Sequence, residues 1–172
     1  LDIDYNYLVQ DVYEQIEENL NLLRKNEVPL DKIDEFINYS LEYAMDYSYL
    51  DLAFELIHRL FNFYVENNKI ENIQLLISQY YDLYQKSSND ENTLIYYNDM
   101  ASFFMKTKEY NEAINYFSKM REIIEENGIK DKKSYVYICF REGLCYKETN
   151  EIQESYNKII SAVKYIDYIE AV

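Results

Sequence analysis

Apolar side chains recur along the chain at intervals of three and four residues, the spacing that places them on one face of an α-helix. The first stripe runs through Leu8, Val12, Ile16, Leu20 and Leu23, and it predicts a helix over about residues 5–26. Comparable stripes predict seven further helices. Helices 2, 3 and 4 should cover about residues 30–47, 50–66 and 70–86, and helices 7 and 8 about residues 132–148 and 151–169. Helices 5 and 6 should lie either side of a polar turn at Lys106–Glu109.

The residues at the predicted helix ends agree with these stripes. Asn89 or Asp90 is suited to cap the start of helix 5, and Asp131 the start of helix 7. Gly128 is suited to end helix 6 in a left-handed conformation. The chain has only 2 Gly and 1 Pro among 172 residues, which favours long helices with short connections over sheets with many tight turns.

The segment from Thr93 to Asn127 matches the tetratricopeptide pattern, in which two helices touch at small residues. The first small residue, Ala101, is followed twelve positions later by Ala113. Phe61 and Gly143 occupy the position of Ala101 in helices 3 and 7, so the period is 101 − 61 = 40 and then 143 − 101 = 42 residues. Each of the three helix pairs has four equivalent positions, two on its first helix and two on its second. These are Phe61, Tyr64, Ile73 and Ile77 in helices 3 and 4; Ala101, Phe104, Ala113 and Phe117 in helices 5 and 6; and Gly143, Tyr146, Ser155 and Ile159 in helices 7 and 8. The sequence therefore predicts an all-α, tetratricopeptide-like, right-handed superhelical array of about eight antiparallel helices, forming a single domain over residues 1–172.

Helix 3 also fits a second register, because Leu50, Ala53 and Ile57 resemble the pattern of a second helix of a pair. Helix 3 could then pair with helix 2 in place of helix 4. Helices 1 and 2 do not fit the repeat and are expected to form a terminal cap.

The chain is acidic, with 32 Asp and Glu against 17 Lys and Arg and a net charge of −15. A nucleic-acid backbone or an anionic membrane surface would repel it, so this segment alone should bind neither. Strong acidity indicates either a solvated exterior or a cationic partner.

Cys139 and Cys145 lie six residues apart on different faces of one predicted helix, which is typical of reduced core thiols in a cytoplasmic protein. Since the chain begins with Leu1, we expect a piece of a longer or processed protein.

Catalytic constellations are absent from the sequence. His58 is the only histidine, which excludes a metal site built from several histidines. Carboxylate pairs such as Glu17 and Glu18 are adjacent on a helix and do not face each other. The sequence therefore predicts a protein that recognises a ligand without catalysis, cofactor or metal.

The concave face of such an array would be lined by the first helix of each pair. Asn side chains there could bond the backbone of an extended peptide, and Arg could hold a carboxylate. An ordinary polar face, with its Arg paired to neighbouring Glu or Asp, would use the same residue types. Both interpretations stay open for the ten predicted groove residues, which are His58, Arg59, Asn62, Asn98, Asp99, Ser102, Tyr137, Phe140, Arg141 and Leu144.

The period of about 40 residues, the degenerate motifs and the Tyr/Asn/Glu/Lys-rich composition resemble the peptide-sensing regulators of Gram-positive bacteria, the Rap, NprR, PlcR and PrgX group. The segments YYNDMASFFMKTKEYNEAINYF and CFREGLCYKETNEIQESYNKI carry the resemblance, over about residues 92–166. It implies a short signal peptide in the groove and the sensing half of a transcriptional regulator, with a possible homodimer. The alternatives are an adaptor or scaffold with no small peptide ligand, and a Rap-like modulator of a response regulator.

Overall fold

The computed structural model of the chain describes residues 5–87 and 89–166, and the side chains of all of these except residues 5–10, 12, 13 and 24. In this part of the chain there are eight α-helices and no strand, which confirms the all-α prediction. The helices are α1 (Tyr5–Lys25), α2 (Leu30–Asp46), α3 (Leu50–Glu66), α4 (Ile70–Lys86), α5 (Asp90–Lys106), α6 (Tyr110–Glu126), α7 (Lys132–Glu148) and α8 (Ile152–Ile166).

The predicted helix ends agree closely with these bounds. Asn89 caps α5, since its side chain accepts a hydrogen bond of 2.8 Å from the backbone N–H of Asn92. Asp131 caps α7 through the backbone N–H of Ser134 at 3.1 Å. Gly128 follows α6 with φ 74°, in the left-handed conformation predicted for it. The predicted extension of helix 8 to residue 169 lies outside the described residues.

One turn recurs between helices. After α2, α3, α5 and α7, a residue other than glycine adopts a positive φ of 57–65°; these residues are Ser48, Asn68, Lys108 and Asn150. The next residue donates its backbone N–H to the carbonyl five positions back, as Tyr49 does to Ala44 at 2.8 Å, which is the helix-ending Schellman bond. That same residue is the N-cap of the following helix. Three residues thus end one helix and begin the next, and packed neighbours joined in this way run antiparallel.

The chain divides into two compact units, Leu1–Ser88 and Asn89–Val172. In the first unit, α2 packs against α1 and α3, and α3 packs against α4. Helix α3 therefore contacts both candidate partners considered for it. Its contact with α4 is built around Tyr80, whose ring centroid lies 5.6 Å from that of Phe54 and 5.5 Å from that of Phe61.

A polar cluster links α2 to the turn between α3 and α4. The carboxylate of Asp34 accepts a hydrogen bond of 2.8 Å from the Tyr64 hydroxyl and lies 3.0 Å from the Lys69 ammonium. Asn38 donates to the same carboxylate at 2.7 Å. Tyr64 is buried, as expected for the aromatic position of the repeat, and burial is the largest of the causes that raise the pKa of its hydroxyl.

In the second unit, α5, α6, α7 and α8 each pack against the next helix. Ala101 and Ala113 are fully buried with Phe117, as the repeat pattern predicts. The equivalent contact between α7 and α8 is also present. A Cβ atom built on Gly143 would lie 3.0 Å from Ile159 Cδ1 and 3.2 Å from the Ser155 carbonyl oxygen. The close approach predicted at an offset of 42 residues is therefore present between α7 and α8.

Candidate functional site

The ten predicted groove residues are divided between the two units. His58, Arg59 and Asn62 lie on α3 in the first unit, and the other seven lie on α5 and α7 in the second. Each set can be compared with the two interpretations left open by the sequence, a ligand-binding groove or a polar face whose charges are already paired.

The three residues on α3 have partners within the first unit. The Arg59 guanidinium Nη1 lies 2.6 Å from Glu17 Oε1 on α1, and both side chains are about three-quarters buried. The Asn62 amide donates to the His58 carbonyl at 3.1 Å and lies 3.1 Å from His58 Nδ1. Arg59 therefore attaches α1 to α3, and for this set the paired polar face is the better interpretation.

The three candidates on α5 differ in exposure. Asp99 is only 1% exposed, so it does not line a solvent-accessible surface as predicted. The physical reason is helical register, because Asp99 belongs to a buried row with Tyr96, Met100 and Phe103. Asn98 and Ser102 are half-buried. The Asn98 Oδ1 atom is buried and has no hydrogen-bond partner among the described residues.

The candidates on α7 include two exposed aromatic side chains and one arginine. Tyr137 and Phe140 are 44% and 48% exposed, whereas Leu144 is half-buried. The Arg141 guanidinium carbon lies 5.6 Å from the centroid of the Tyr137 ring, within the range of a cation–π interaction. This group of residues, Tyr137, Phe140, Arg141 and Leu144, is called the α7 surface below.

Arg141 differs from the other arginines whose side chains are described. Arg59 pairs with Glu17, and Arg121 pairs with Glu125 and Glu142. Arg141 forms no ion pair with any residue in the described ranges, and its Nε atom is buried without a hydrogen-bond partner there. Buried polar atoms are usually hydrogen-bonded, so Arg141 is the arginine best placed to receive an external acceptor.

Sequence reasoning missed a buried carboxylate at the contact between α6 and α7. Glu142 is fully buried, and its Oε1 accepts a hydrogen bond of 2.7 Å from the Ser118 hydroxyl. Its Oε2 accepts one of 3.0 Å from Arg121 Nε, and Lys158 Nζ on α8 lies 3.4 Å from Oε1. Burial alone would lower the pKa of Arg121, but the carboxylates of Glu142 and Glu125 raise it above its usual value. Glu142 is the charged residue in an otherwise mostly apolar buried stripe of α7, which was the signal for it in the sequence.

The two cysteines are core residues. Cys139 and Cys145 are buried on α7 and neither forms a disulfide. Burial raises the pKa of both thiols, that of Cys145 to about 11. A nucleophilic cysteine needs a lowered pKa, so neither thiol has the properties of a reactive group.

The described ranges contain no group of three or more His, Cys, Asp or Glu side chains arranged to hold a metal ion. None of the helices described combines the length and the apolar character needed to cross a membrane.

Comparison with protein-family models, with curated proteins and with solved structures finds no match for this chain. The resemblance to peptide-sensing regulators therefore stays a prediction from the sequence.

Proposed function

We propose that this chain is a recognition domain built from tetratricopeptide-like helix pairs, and that the α7 surface binds a peptide through a carboxylate. The observation that carries the proposal is Arg141. Its guanidinium lies over the exposed Tyr137 ring and has no carboxylate partner among the described residues, although the chain has an excess of carboxylates.

The chemistry of the α7 surface suits a peptide end or an acidic side chain. A guanidinium group can hold a carboxylate through two parallel hydrogen bonds, and stacking on Tyr137 would restrict its orientation. Tyr137 and Phe140 offer apolar contact area with few rotatable bonds, which lowers the entropic cost of binding. In the array that we propose, Asn98 is a candidate to bond the peptide backbone.

The array itself is supported by the repeat register. Ala101 and Ala113 on one pair correspond to Gly143 and Ser155 on the next, and both crossings are tightly packed. Repeated helix pairs of this kind commonly present an extended binding surface. By the family resemblance, the ligand would be a short signal peptide, and the chain the cytoplasmic sensing half of a transcriptional regulator.

An adaptor that binds a folded partner without a small peptide is the second candidate. The observation that favours it is an apolar stripe on α8 with exposed side chains at Ile152, Tyr156, Val163 and Ile166. Contiguous exposed apolar surface of this kind is typical of protein interaction sites.

The test is calorimetric titration with short peptides, each prepared with a free C-terminal carboxylate and as the C-terminal amide. Arg141→Ala should weaken binding of the carboxylate form by about 2 kcal/mol, roughly 30-fold, since a hydrogen-bonded charge is lost. The amide form should bind weakly to the unaltered chain and be little affected by the substitution.

The matched control is Lys147→Ala, which removes an exposed cation from the same helix. Arg121→Ala is unsuitable, because Arg121 pairs with the buried Glu142 and its loss would disturb the fold. Equal losses from Arg141→Ala and Lys147→Ala, or equal binding of carboxylate and amide peptides, would contradict the assignment. Partner binding that is insensitive to Arg141→Ala would support the adaptor.

A further inference from the structure

A cleft lies between α1 and α2 in the first unit, whereas the α7 surface belongs to the second unit. Its volume is about 330 Å³, and its apolar floor includes Ile16 and Phe36. Ile16 and Leu20 are buried on α1, and the ion pair between Glu17 and Arg59 attaches the helix to α3. The cleft is therefore bounded by a helix that is fixed at its centre by apolar packing and by charge.

The two walls of the cleft differ in chemistry. The α1 wall is a polar row of Asp11, Gln15 and Asn19, spaced four residues apart so that they lie along one side of the helix. The α2 wall is formed by the rings of Tyr39 and Tyr43. Tyr39 is 71% exposed, which is unusual for a large aromatic side chain. A polar row facing an aromatic row can bond a peptide backbone on one side and hold side chains on the other.

Two groups of the polar row lack partners in the described ranges. Asp11 and Asn19 form no hydrogen bond or ion pair there, whereas the Gln15 amide donates to Glu18 at 3.1 Å. A carboxylate at the edge of an apolar cleft attracts a cation.

The charge of the chain is concentrated in the unit that contains the cleft. Up to Ser88 there are 17 acidic and 6 basic residues, a net charge of −11, and from Asn89 onward there are 15 and 11, a net charge of −4. Residues 5–46, which include both walls, carry 10 acidic and 3 basic residues, a net charge of −7. This asymmetry favours a cationic ligand at the first unit in particular.

The size of the cleft limits the form of the ligand. The row from Asp11 to Asn19 spans eight residues of helix, about 12 Å. An extended chain covers that length with about four residues. A volume of about 330 Å³ is at the lower end for ligand pockets, which suits one or two apolar side chains and excludes a whole helix.

We propose that the cleft between α1 and α2 binds a short, extended, cationic segment of a partner protein, with its apolar side chains against Tyr39 and Phe36 and a Lys or Arg paired with Asp11. The site is independent of the proposed function, because it requires neither Arg141 nor a ligand carboxylate.

The absence of Trp from the chain allows a local reporter. In a Tyr39→Trp variant, indole fluorescence would report binding at the cleft. Tyr81→Trp on α4 is the control reporter, since Tyr81 is also exposed and belongs to neither proposed binding surface. The probe is acetyl-Lys-Leu-Pro-Leu-Lys-amide, whose blocked ends exclude binding by a terminal carboxylate. Addition of the probe should shift the emission of the Tyr39→Trp protein and leave that of Tyr81→Trp unchanged.

Two further peptides separate charge from apolar contact. Acetyl-Glu-Leu-Pro-Leu-Glu-amide and acetyl-Lys-Ser-Pro-Ser-Lys-amide should each bind at least tenfold more weakly than the probe. In the Tyr39→Trp background, Asp11→Asn should weaken probe binding up to about fivefold, which is the range expected for an exposed ion pair. Increased salt should also weaken probe binding, because it screens the charges. Asp82→Asn, an exposed Asp on α4, is the control.

Several results would overturn the proposal. If the acidic peptide bound as tightly as the probe, recognition would not depend on ligand charge. If the serine peptide did so, recognition would not depend on apolar contact. If Asp11→Asn and Asp82→Asn weakened binding equally, the ligand cation would not be paired with Asp11. By calorimetry on the otherwise unaltered chain, Tyr39→Ser should weaken binding of the probe and Tyr81→Ser should not, and the reverse result would place the peptide elsewhere. All of these substitutions are at exposed positions, and unchanged circular dichroism would exclude unfolding as the cause.

Discussion

Removing the buried carboxylate of Glu142 should destabilise the second unit strongly. Glu142 is 0% exposed and compensates two cations, Arg121 and Lys158, whose side chains are each 17% exposed. In Glu142→Ala, Lys158 loses the carboxylate described for it, and Arg121 keeps only Glu125. A buried charge without compensation is costly because the protein interior solvates it poorly.

The expected magnitude follows from these contacts. Breaking a fully buried pair costs about 3–5 kcal/mol. Since both cations retain some exposure and Arg121 retains one carboxylate, we expect the lower end of that range, about 3 kcal/mol, for Glu142→Ala. Glu142→Gln preserves the shape and the possibility of accepting from Ser118, so it should cost less, about 2 kcal/mol. Glu142→Gln removes the charge at nearly constant volume, whereas Glu142→Ala removes both. The difference between their free energies of unfolding therefore measures the contribution of lost volume.

The assay is urea unfolding followed by far-UV circular dichroism, with the free energy of unfolding obtained by linear extrapolation. Glu148→Gln is the control, because it removes an exposed carboxylate from the same helix, and it should change stability by less than about 0.5 kcal/mol. A triple variant, Glu142→Leu with Arg121→Met and Lys158→Met, should recover most of the loss, since no unpaired buried charge would remain. Glu125 would lose its ion pair with Arg121, but its side chain is 38% exposed to water.

Two outcomes would refute this reasoning. If Glu142→Gln and Glu148→Gln had the same small effect, the carboxylate would not compensate the two cations. If the triple variant were less stable than Glu142→Ala, the cost of the single substitution would come from lost packing, and the charges would not be its cause.

Two other predictions concern the core of the second unit. Ala113→Leu should overpack the crossing of α5 and α6 and lower the free energy of unfolding by about 1–3 kcal/mol, whereas Asn115→Leu, at an exposed position of the same helix, should have little effect in the same urea assay. Because burial raises the pKa of Cys145 to about 11, the unfolded chain should lose this thiol proton from about pH 8.5 while the folded chain retains it, so stability should fall as the pH rises through that window. Unfolding measured across that range should show a smaller fall for Cys145→Ala, and an unchanged fall would contradict the assignment to this thiol.

The sequence predicted the helices well because their ends are encoded locally. Asn89, Asp131 and Gly128 act within a few residues of their own position, so their roles could be inferred without knowledge of the fold. The crossing of Gly143 with Ser155 and Ile159 was also predictable, because an internal repeat supplied the register.

The polar contacts were less predictable because they join separate helices. Glu142 meets Ser118 and Arg121, which lie 24 and 21 residues earlier in the chain. Similarly, the partner of Arg59 is on α1, a helix outside the repeat pattern. The sequence showed that an arginine could be either a ligand-binding group or a paired one, but only side-chain positions in space distinguish Arg59 from Arg141.

The three-residue turns determine where the chain can change in length. Because the residue that closes one helix also opens the next, an inserted residue would rotate the following helix by about 100° and move its apolar stripe away from the core. The connection between α6 and α7 has five residues, 127–131, and contains Gly128, so it is less constrained. Insertions and deletions of one or two residues should therefore be tolerated at that connection and rejected at the shorter turns. Larger changes of length would preserve the fold most readily as whole helix pairs, each bringing its own turn.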